Sequence, residues 1–306
     1  MEQLNELAAY CAEIGCACWK DEPMSAHTSF KIGGNADLMM KPKDGEMAAL
    51  LLRRAGELDV PVAIVGKGSD LLVSDKGIRG GVLSLDEQAA QPKLLGETEI
   101  SCPAGASLTA LCVFAQKQGL TGLEFAYGIP GSVGGAVYMN AGAYGGEIRD
   151  VLEKVDYLDT DGNALEKTAE ELTLSYRHSW FTDHPGCLIT EAVFSLQKGG
   201  PAAIKAKMDD LMQRRVAKQP LEYPSAGSTF KRPSGAYASA LIDQCGLKGV
   251  RVGGAMVSEK HAGFLINYDH ATCEDVRRLV RLVQNTVQEK TGYRLECEIK
   301  LLGEDG

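Results

Sequence analysis

Apolar and polar positions change period several times along the chain. Leu4, Leu7, Ala8, Cys11 and Ile14 recur at helical spacing among Glu2, Glu6 and Glu13, which predicts an amphipathic helix over Met1 to Lys20. Ala36, Leu38 and Met40 alternate as in a strand, Glu46 to Leu58 is helical, and Val60 to Val65 is a short apolar strand that runs into Gly66-Lys67-Gly68-Ser69-Asp70. The pattern then repeats loosely, with a strand over Thr98 to Cys102 and a helix over Ser107 to Gln118 that starts on a serine cap. Val155 to Leu158 and the residues from Ala164 flank the turn Thr160-Asp161-Gly162 as a hairpin, and Leu188 to Leu196 is a further strand. After the break at Gly199-Gly200-Pro201, Ala202 to Lys218 and Thr272 to Gln288 are predicted helices, the second with Thr272 and Asp275 as a capping box. Tyr293 to Leu302 alternates as a final strand, with Leu295, Cys297, Ile299 and Leu301 on one face and Glu296, Glu298 and Lys300 on the other.

The composition is that of ordinary packed domains. Of 306 residues, 44% are hydrophobic and 24% charged, which argues against disorder and suits two or three domains. A formal charge of −9 argues against non-specific nucleic-acid binding, while a few local cations can still hold an anionic small molecule. The nine cysteines are scattered, and Cys16-x-Cys18 is the only close pair. They are expected to be free thiols of a reducing, cytoplasmic compartment, with no metal site. The start of the chain lacks the pattern of a signal peptide, and no apolar run has the length of a membrane span.

Five segments carry candidate chemistry. Gly66, Lys67, Gly68, Ser69, Asp70 and Leu71 follow a strand. They form either a plain tight turn or a loop whose N–H groups converge on a phosphate, and they match neither the Rossmann fingerprint nor the P-loop. Gly119 to Gly146 holds nine glycines among aromatic and apolar residues, so it is not a linker. Within it, Gly128-Ile129-Pro130-Gly131-Ser132-Val133-Gly134-Gly135 and Asn140-Ala141-Gly142 expose bare backbone, either for close packing of helix on sheet or for a large flat phosphorylated ligand. Tyr176 and Arg177 lie in a polar turn, where the arginine is a surface charge or a planar fork for a carboxylate or phosphate. Ser228 sits in Ser225-Ala226-Gly227-Ser228-Thr229-Phe230-Lys231-Arg232, a phosphate loop or an ordinary turn, without the Gly-x-Ser-x-Gly elbow of a hydrolase nucleophile. Glu298 on the last strand reads by itself as a solvated carboxylate.

In this order the five segments resemble the UDP-N-acetylenolpyruvoylglucosamine reductase family, from about Thr28 to Gly303, in the shorter subtype without an extra lid loop. Asp70, where asparagine is commoner, and Asp269, where glycine is commoner, are the departures. The resemblance implies mixed α/β and α+β architecture: an FAD-binding fold of the vanillyl-alcohol-oxidase type with an appended α+β substrate-binding domain. It implies non-covalent FAD, since neither glycine segment holds a histidine or cysteine for attachment, and NADPH as hydride donor. FAD would lie along residues 66–71 and along Gly128, Ile129, Pro130, Gly131, Ser132, Gly134, Gly135, Asn140, Ala141 and Gly142, with Arg214 as a further contact. Hydride would pass from flavin N5 to C3 of an enol ether. Arg177 and Glu298 would support the developing charge, and Ser228 would protonate C2. Tyr176, Lys218, Lys231, Arg232 and Asn267 would contact the UDP-sugar substrate.

The expected layout is an N-terminal flavin subdomain over residues 1–83 joined by the terminal strand 292–306, a second flavin subdomain over 84–198, and a substrate domain over 199–291. Two other readings remain: a flavin oxidoreductase of the same fold acting on a hydroxy acid or alcohol, and a non-catalytic FAD- or UDP-sugar-binding protein.

Overall fold

The computed structural model describes residues 2–304. The chain divides into two compact units, each discontinuous in sequence. The first comprises Met1–Lys20, Asp37–Lys67 and Gly80–Arg214, and the second Asp21–Ala36, Gly68–Arg79 and Arg215–Gly306.

In the first unit, the N-terminal helix covers only Glu2–Glu13, and a strand, Ala17–Pro23, occupies the rest of the stretch expected to be helical. The sequence stops the helix at Gly15. With φ +72° it lets Cys16 N–H reach the Cys11 carbonyl at 2.8 Å and lets its own N–H reach Ala12 at 3.2 Å, a left-handed cap that ends the helix. A sheet ordered Ala17–Pro23, Asn35–Lys41, Ile78–Leu83, Val62–Ile64 follows, its last two strands parallel. Leu7 and Cys11 of the first helix and Leu51 and Leu52 of Gly45–Glu57 pack with Leu38 and Met40. Asp44 caps that second helix by accepting from Met47 N–H.

A second, antiparallel sheet of the first unit is ordered Ala164–Thr168, Leu152–Leu158, Leu188–Ser195, Glu99–Pro103, Lys93–Leu94. The expected hairpin is its edge. Helix Leu108–Lys117, capped by Ser107, and the short helix Val133–Tyr138, capped by Ser132, contribute Leu108, Leu111, Val133 and Val137 to its core. Ile204 and Met208 of helix Pro201–Lys218 join the same core. The division therefore falls at Arg214, inside that helix, and not at Gly199: an apolar helix face stays with the core that buries it.

The second unit holds a three-stranded antiparallel sheet, Arg251–Val252, Ala255–Val257 and Leu265–Asn267. Helix Cys273–Thr291 presents Val276, Leu279, Val283 and Val287 to Ile242, Val257 and Leu265, and the expected Thr272/Asp275 capping box starts it. The final strand is shorter than expected, Lys300–Leu302, and pairs in parallel with Leu71–Val73. Glu298 precedes it in irregular backbone. It is buried at 8% exposure, although Glu296 two residues before it is exposed, which corrects the reading of a solvated strand carboxylate. Among the described residues no helix is long and apolar enough to cross a membrane. All nine cysteines are free.

Candidate active site

Within the first unit the structure brings the glycine turn and the glycine-rich segment together. Gly66 lies so close to the short helix that a Cβ on it would fall 2.5 Å from Ser132 Oγ, the oxygen that caps Gly135 N–H. Any side chain at Gly66 would fill this gap, and exposed Gly135 adds bare backbone beside the same serine. In this respect the residues fit a flat, phosphorylated cofactor. Other glycines are small for packing. A Cβ on Gly134 would meet Ala104 at 2.9 Å, and one on Gly142 would meet Glu147 at 2.7 Å. The N–H groups of Val133 and Gly134 donate to Ala106 and Ala104, so the start of this helix is tied to its own scaffold. Lys67 is ion-paired with Glu87 at 2.8 Å.

Arg177 occupies a tight turn. Ser175 and His178 exchange both backbone hydrogen bonds, 3.0 and 3.2 Å, which leaves Tyr176 and Arg177 at the tip. Arg177 adopts φ +55°, a left-handed backbone that costs a non-glycine residue of order 1–3 kcal/mol and persists only where the surroundings impose it. Its guanidinium donates to the Gly142 carbonyl at 3.1 Å and lies 5.0 Å from the centre of the half-exposed Tyr176 ring. The result is a permanent cation, half-buried, beside the second glycine segment.

Asn140, expected among the cofactor contacts, has a different task. It is fully buried, and its amide is engaged inside the protein: Nδ2 donates to Glu147 Oε2 at 2.8 Å and to the Ser175 carbonyl at 2.9 Å, and Oδ1 accepts Arg149 N–H at 2.9 Å. Arg214 lies on the solvent face of its helix, forked onto Asp210 at 3.1 and 2.8 Å.

In the second unit, Gly68, with φ +59°, packs against His27, whose carbonyl a Cβ would approach to 2.2 Å. Asp70 accepts Lys300 N–H through its carbonyl, and Leu71 opens the strand paired with the chain end, so Gly68 to Leu71 also serves the scaffold.

The Ser228 segment is clamped on both sides. Thr229 N–H donates to Gly263 and its carbonyl accepts Glu298 N–H at 2.8 Å, Lys231 N–H donates to Glu296 at 2.8 Å, and Phe230 faces Cys297 across a single β-bridge. Thr229, 1% exposed, accepts Leu265 N–H on its hydroxyl at 3.1 Å. This ladder sets Glu298 against Thr229, the residue after Ser228, and Ser228 is half-buried after Gly227, whose φ is +74°. Lys231 stands 3.5 Å from the Glu296 carboxylate, and Arg232 covers the Tyr237 ring at 4.6 Å. Lys218 ends its helix exposed. Asn267 clamps the loop at Phe30, donating to its carbonyl at 3.2 Å while accepting Ala271 N–H at 2.8 Å. His261 was not singled out by its sequence context. Burial, then the charges of Lys248 and Lys218, hold its pKa below the ordinary histidine value, and its Nδ1 accepts Gly263 N–H at 3.2 Å, next to the carbonyl that binds Thr229.

Comparison with known proteins places this geometry. The family model for a FAD binding domain matches residues 36–167, and that for the UDP-N-acetylenolpyruvoylglucosamine reductase C-terminal domain matches residues 219–302. A UDP-N-acetylenolpyruvoylglucosamine reductase of Lachnoclostridium phytofermentans is 49% identical over 93% of this chain and 92% of its own length. That of Geobacillus thermodenitrificans is 46% identical over 98% and 97%. The chain belongs to the UDP-N-acetylenolpyruvoylglucosamine reductase family. A solved member from Thermus caldophilus, 36% identical, matches 94% of this chain and 98% of its own with a TM-score of 0.79. The expected family and fold class, an FAD-binding part followed by an α+β domain, are borne out. The flavoenzyme character of the family agrees with the expected FAD.

Proposed function

We propose that this chain reduces UDP-N-acetylenolpyruvoylglucosamine to UDP-N-acetylmuramate at the expense of NADPH, a step of peptidoglycan precursor synthesis in the cytoplasm. The observation that carries the reading is family membership over nearly the whole chain, flavin part and reductase part together.

FAD, when bound, would supply two-electron hydride chemistry between NADPH and C3 of the enol ether. The chain's residues do the rest. The backbone around Gly66, Gly131, Ser132 and Gly135 admits the cofactor without a covalent link. Hydride arrival at C3 leaves negative charge on C2 and its carboxylate. Arg177, a cation whose geometry is set before the reaction, stabilises that charge as it develops. Glu298, excluded from solvent, supports the same carboxylate. The Ser228 hydroxyl gives its proton to C2, which completes addition of one hydride and one proton across the double bond. Lys218, Lys231 and Arg232 serve the uridine diphosphate and NADPH phosphates, for which cationic side chains are the natural partners, and Tyr176 contacts the substrate.

The test is anaerobic flavin spectroscopy on the purified protein. NADPH should bleach the yellow chromophore, the enolpyruvyl substrate should restore it, and denaturation should release all of it. A flavin reduced by an alcohol or hydroxy acid and not by NADPH would replace this reading with that of an oxidase. A flavin that neither donor reduces would make the chain a binding protein.

A further inference from the structure

We infer that Asn140 is a positioning residue for Arg177, its buried amide holding in place the strained turn that presents the guanidinium. The inference rests on the role given to Arg177 above.

Three features converge on this residue. The Ser175–His178 turn is strained at Arg177, with φ +55°, so something outside the turn must hold it. The turn is linked to the segment Asn140–Gly142 at base and tip: the Asn140 amide donates to the Ser175 carbonyl at the base, and the Gly142 carbonyl accepts from the guanidinium at the tip. Asn140 is itself held at φ +40° and fully buried, so it meets no ligand directly.

The chemistry of the site selects asparagine. The position needs two N–H donors, for Glu147 Oε2 and Ser175 O, and one acceptor, for Arg149 N–H, within one short planar group. Aspartate has the shape but no donors at neutral pH, and it would set a second negative charge against Glu147. Asparagine is also among the few non-glycine residues that tolerate a left-handed backbone. Glu147 anchors the network: it pairs with Arg149 at 3.1 Å and caps the turn that begins at Ile148. The small hairpin of Gly142–Ala143 and Gly146–Glu147 and the turn bearing Arg177 are therefore tied to each other through one buried amide.

The test is a double-mutant cycle on the FAD-loaded enzyme. Wild type, Asn140→Asp, Arg177→Ala and the double variant are compared by stopped-flow flavin absorbance, with flavin content, melting temperature and substrate affinity from the flavin spectrum measured on each. Misplacing the guanidinium should slow reoxidation by the enolpyruvyl substrate about 10- to 100-fold in Asn140→Asp, with reduction by NADPH and flavin content preserved. The double variant should be no slower than Arg177→Ala, because a positioning residue has nothing left to position. Asn140→Ser, smaller and still a donor, should fall between wild type and Asn140→Asp. Multiplying losses in the double variant, wild-type reoxidation in Asn140→Asp, or equal slowing of both half-reactions would overturn the inference. Failure of both Asn140 variants to fold would assign the residue to the fold and overturn it too. If Arg177→Ala itself reoxidises at the wild-type rate, the reading of Arg177 has failed first, a result distinct from a failure of the cycle.

Discussion

The Arg177 turn and the Ser228 segment carry the two groups to which the proposed function gives the developing charge and the proton, and they are built by opposite means. Ser228 adjoins a main-chain ladder, in which Thr229 and Lys231 bond to Glu298 and Glu296 on one side and Thr229 to Gly263 on the other, so most of its placement survives a change of neighbouring side chain. Arg177 stands in a two-residue turn with a strained backbone, held by a side-chain amide, a carbonyl and an aromatic ring. A hydroxyl that delivers a proton to one carbon needs a fixed direction, which a ladder gives. A guanidinium that meets charge spreading over a carboxylate needs its charge held in place, which a braced turn gives.

The largest expected effect is at the turn. Arg177→Ala should slow reoxidation by the enolpyruvyl substrate about 10²- to 10³-fold, the range for losing a preorganised electrostatic partner, and leave reduction by NADPH close to wild type. An equal fall in both half-reactions would show that the turn serves the cofactor and would break the contrast.

On the ladder side, Thr229→Val leaves the main-chain bonds in place but removes the oxygen that accepts Leu265 N–H in a site 1% exposed. Thermal denaturation should show a loss of about 1–3 kcal/mol, the cost of a buried unsatisfied donor, with turnover changed much less than in Asn140→Asp. A turnover loss as large as that of Asn140→Asp would mean the ladder depends on its side chains as the turn does.

A smaller, pH-dependent effect belongs to Glu124 in the first unit. Burial opposes its ionisation. The Thr121 hydroxyl, the Gly122 N–H at 3.0 Å and Lys207 at 3.6 Å outweigh that and hold its carboxyl below the ordinary range. A depressed folded pKa contributes stability above the unfolded carboxylate value, and that contribution is lost as pH falls through the folded value. Glu124→Gln should therefore lower the melting temperature at neutral pH and flatten its decline toward acid. An unchanged acid slope would show that the Glu124 charge adds nothing to this fold.

Much of the fold was legible in the sequence, because helical faces, caps and the hairpin are local. Ser107, Thr272 with Asp275, and the Thr160-Gly162 turn each stand where their chemistry placed them. The first helix ended early because Gly15 outranks the apolar period that runs on past it. The two compact units change at Arg214 and not at the local break Gly199-Gly200-Pro201, since Ile204 and Met208 pack their helix onto a core far back in sequence. The candidate segments were legible as glycine, arginine and serine motifs, but their partners were not. Nothing in one sequence tells that Asn140 faces Ser175, or that Asn267 faces Phe30, since those contacts are made across distant segments. The polar residues Glu147 and Arg149, close after a buried asparagine, were the one available hint of a closed network.

The most direct test of the whole account is the pair of half-reactions in Ser228→Ala. Anaerobic stopped-flow absorbance follows flavin reduction by NADPH and reoxidation by the enolpyruvyl substrate separately. The account expects reduction nearly intact, since it needs no proton at C2, and reoxidation slowed about 10²-fold or more for want of a positioned acid. Reoxidation at the wild-type rate would contradict it, and a matching loss in both steps would make Ser228 a support of the site and not its proton donor.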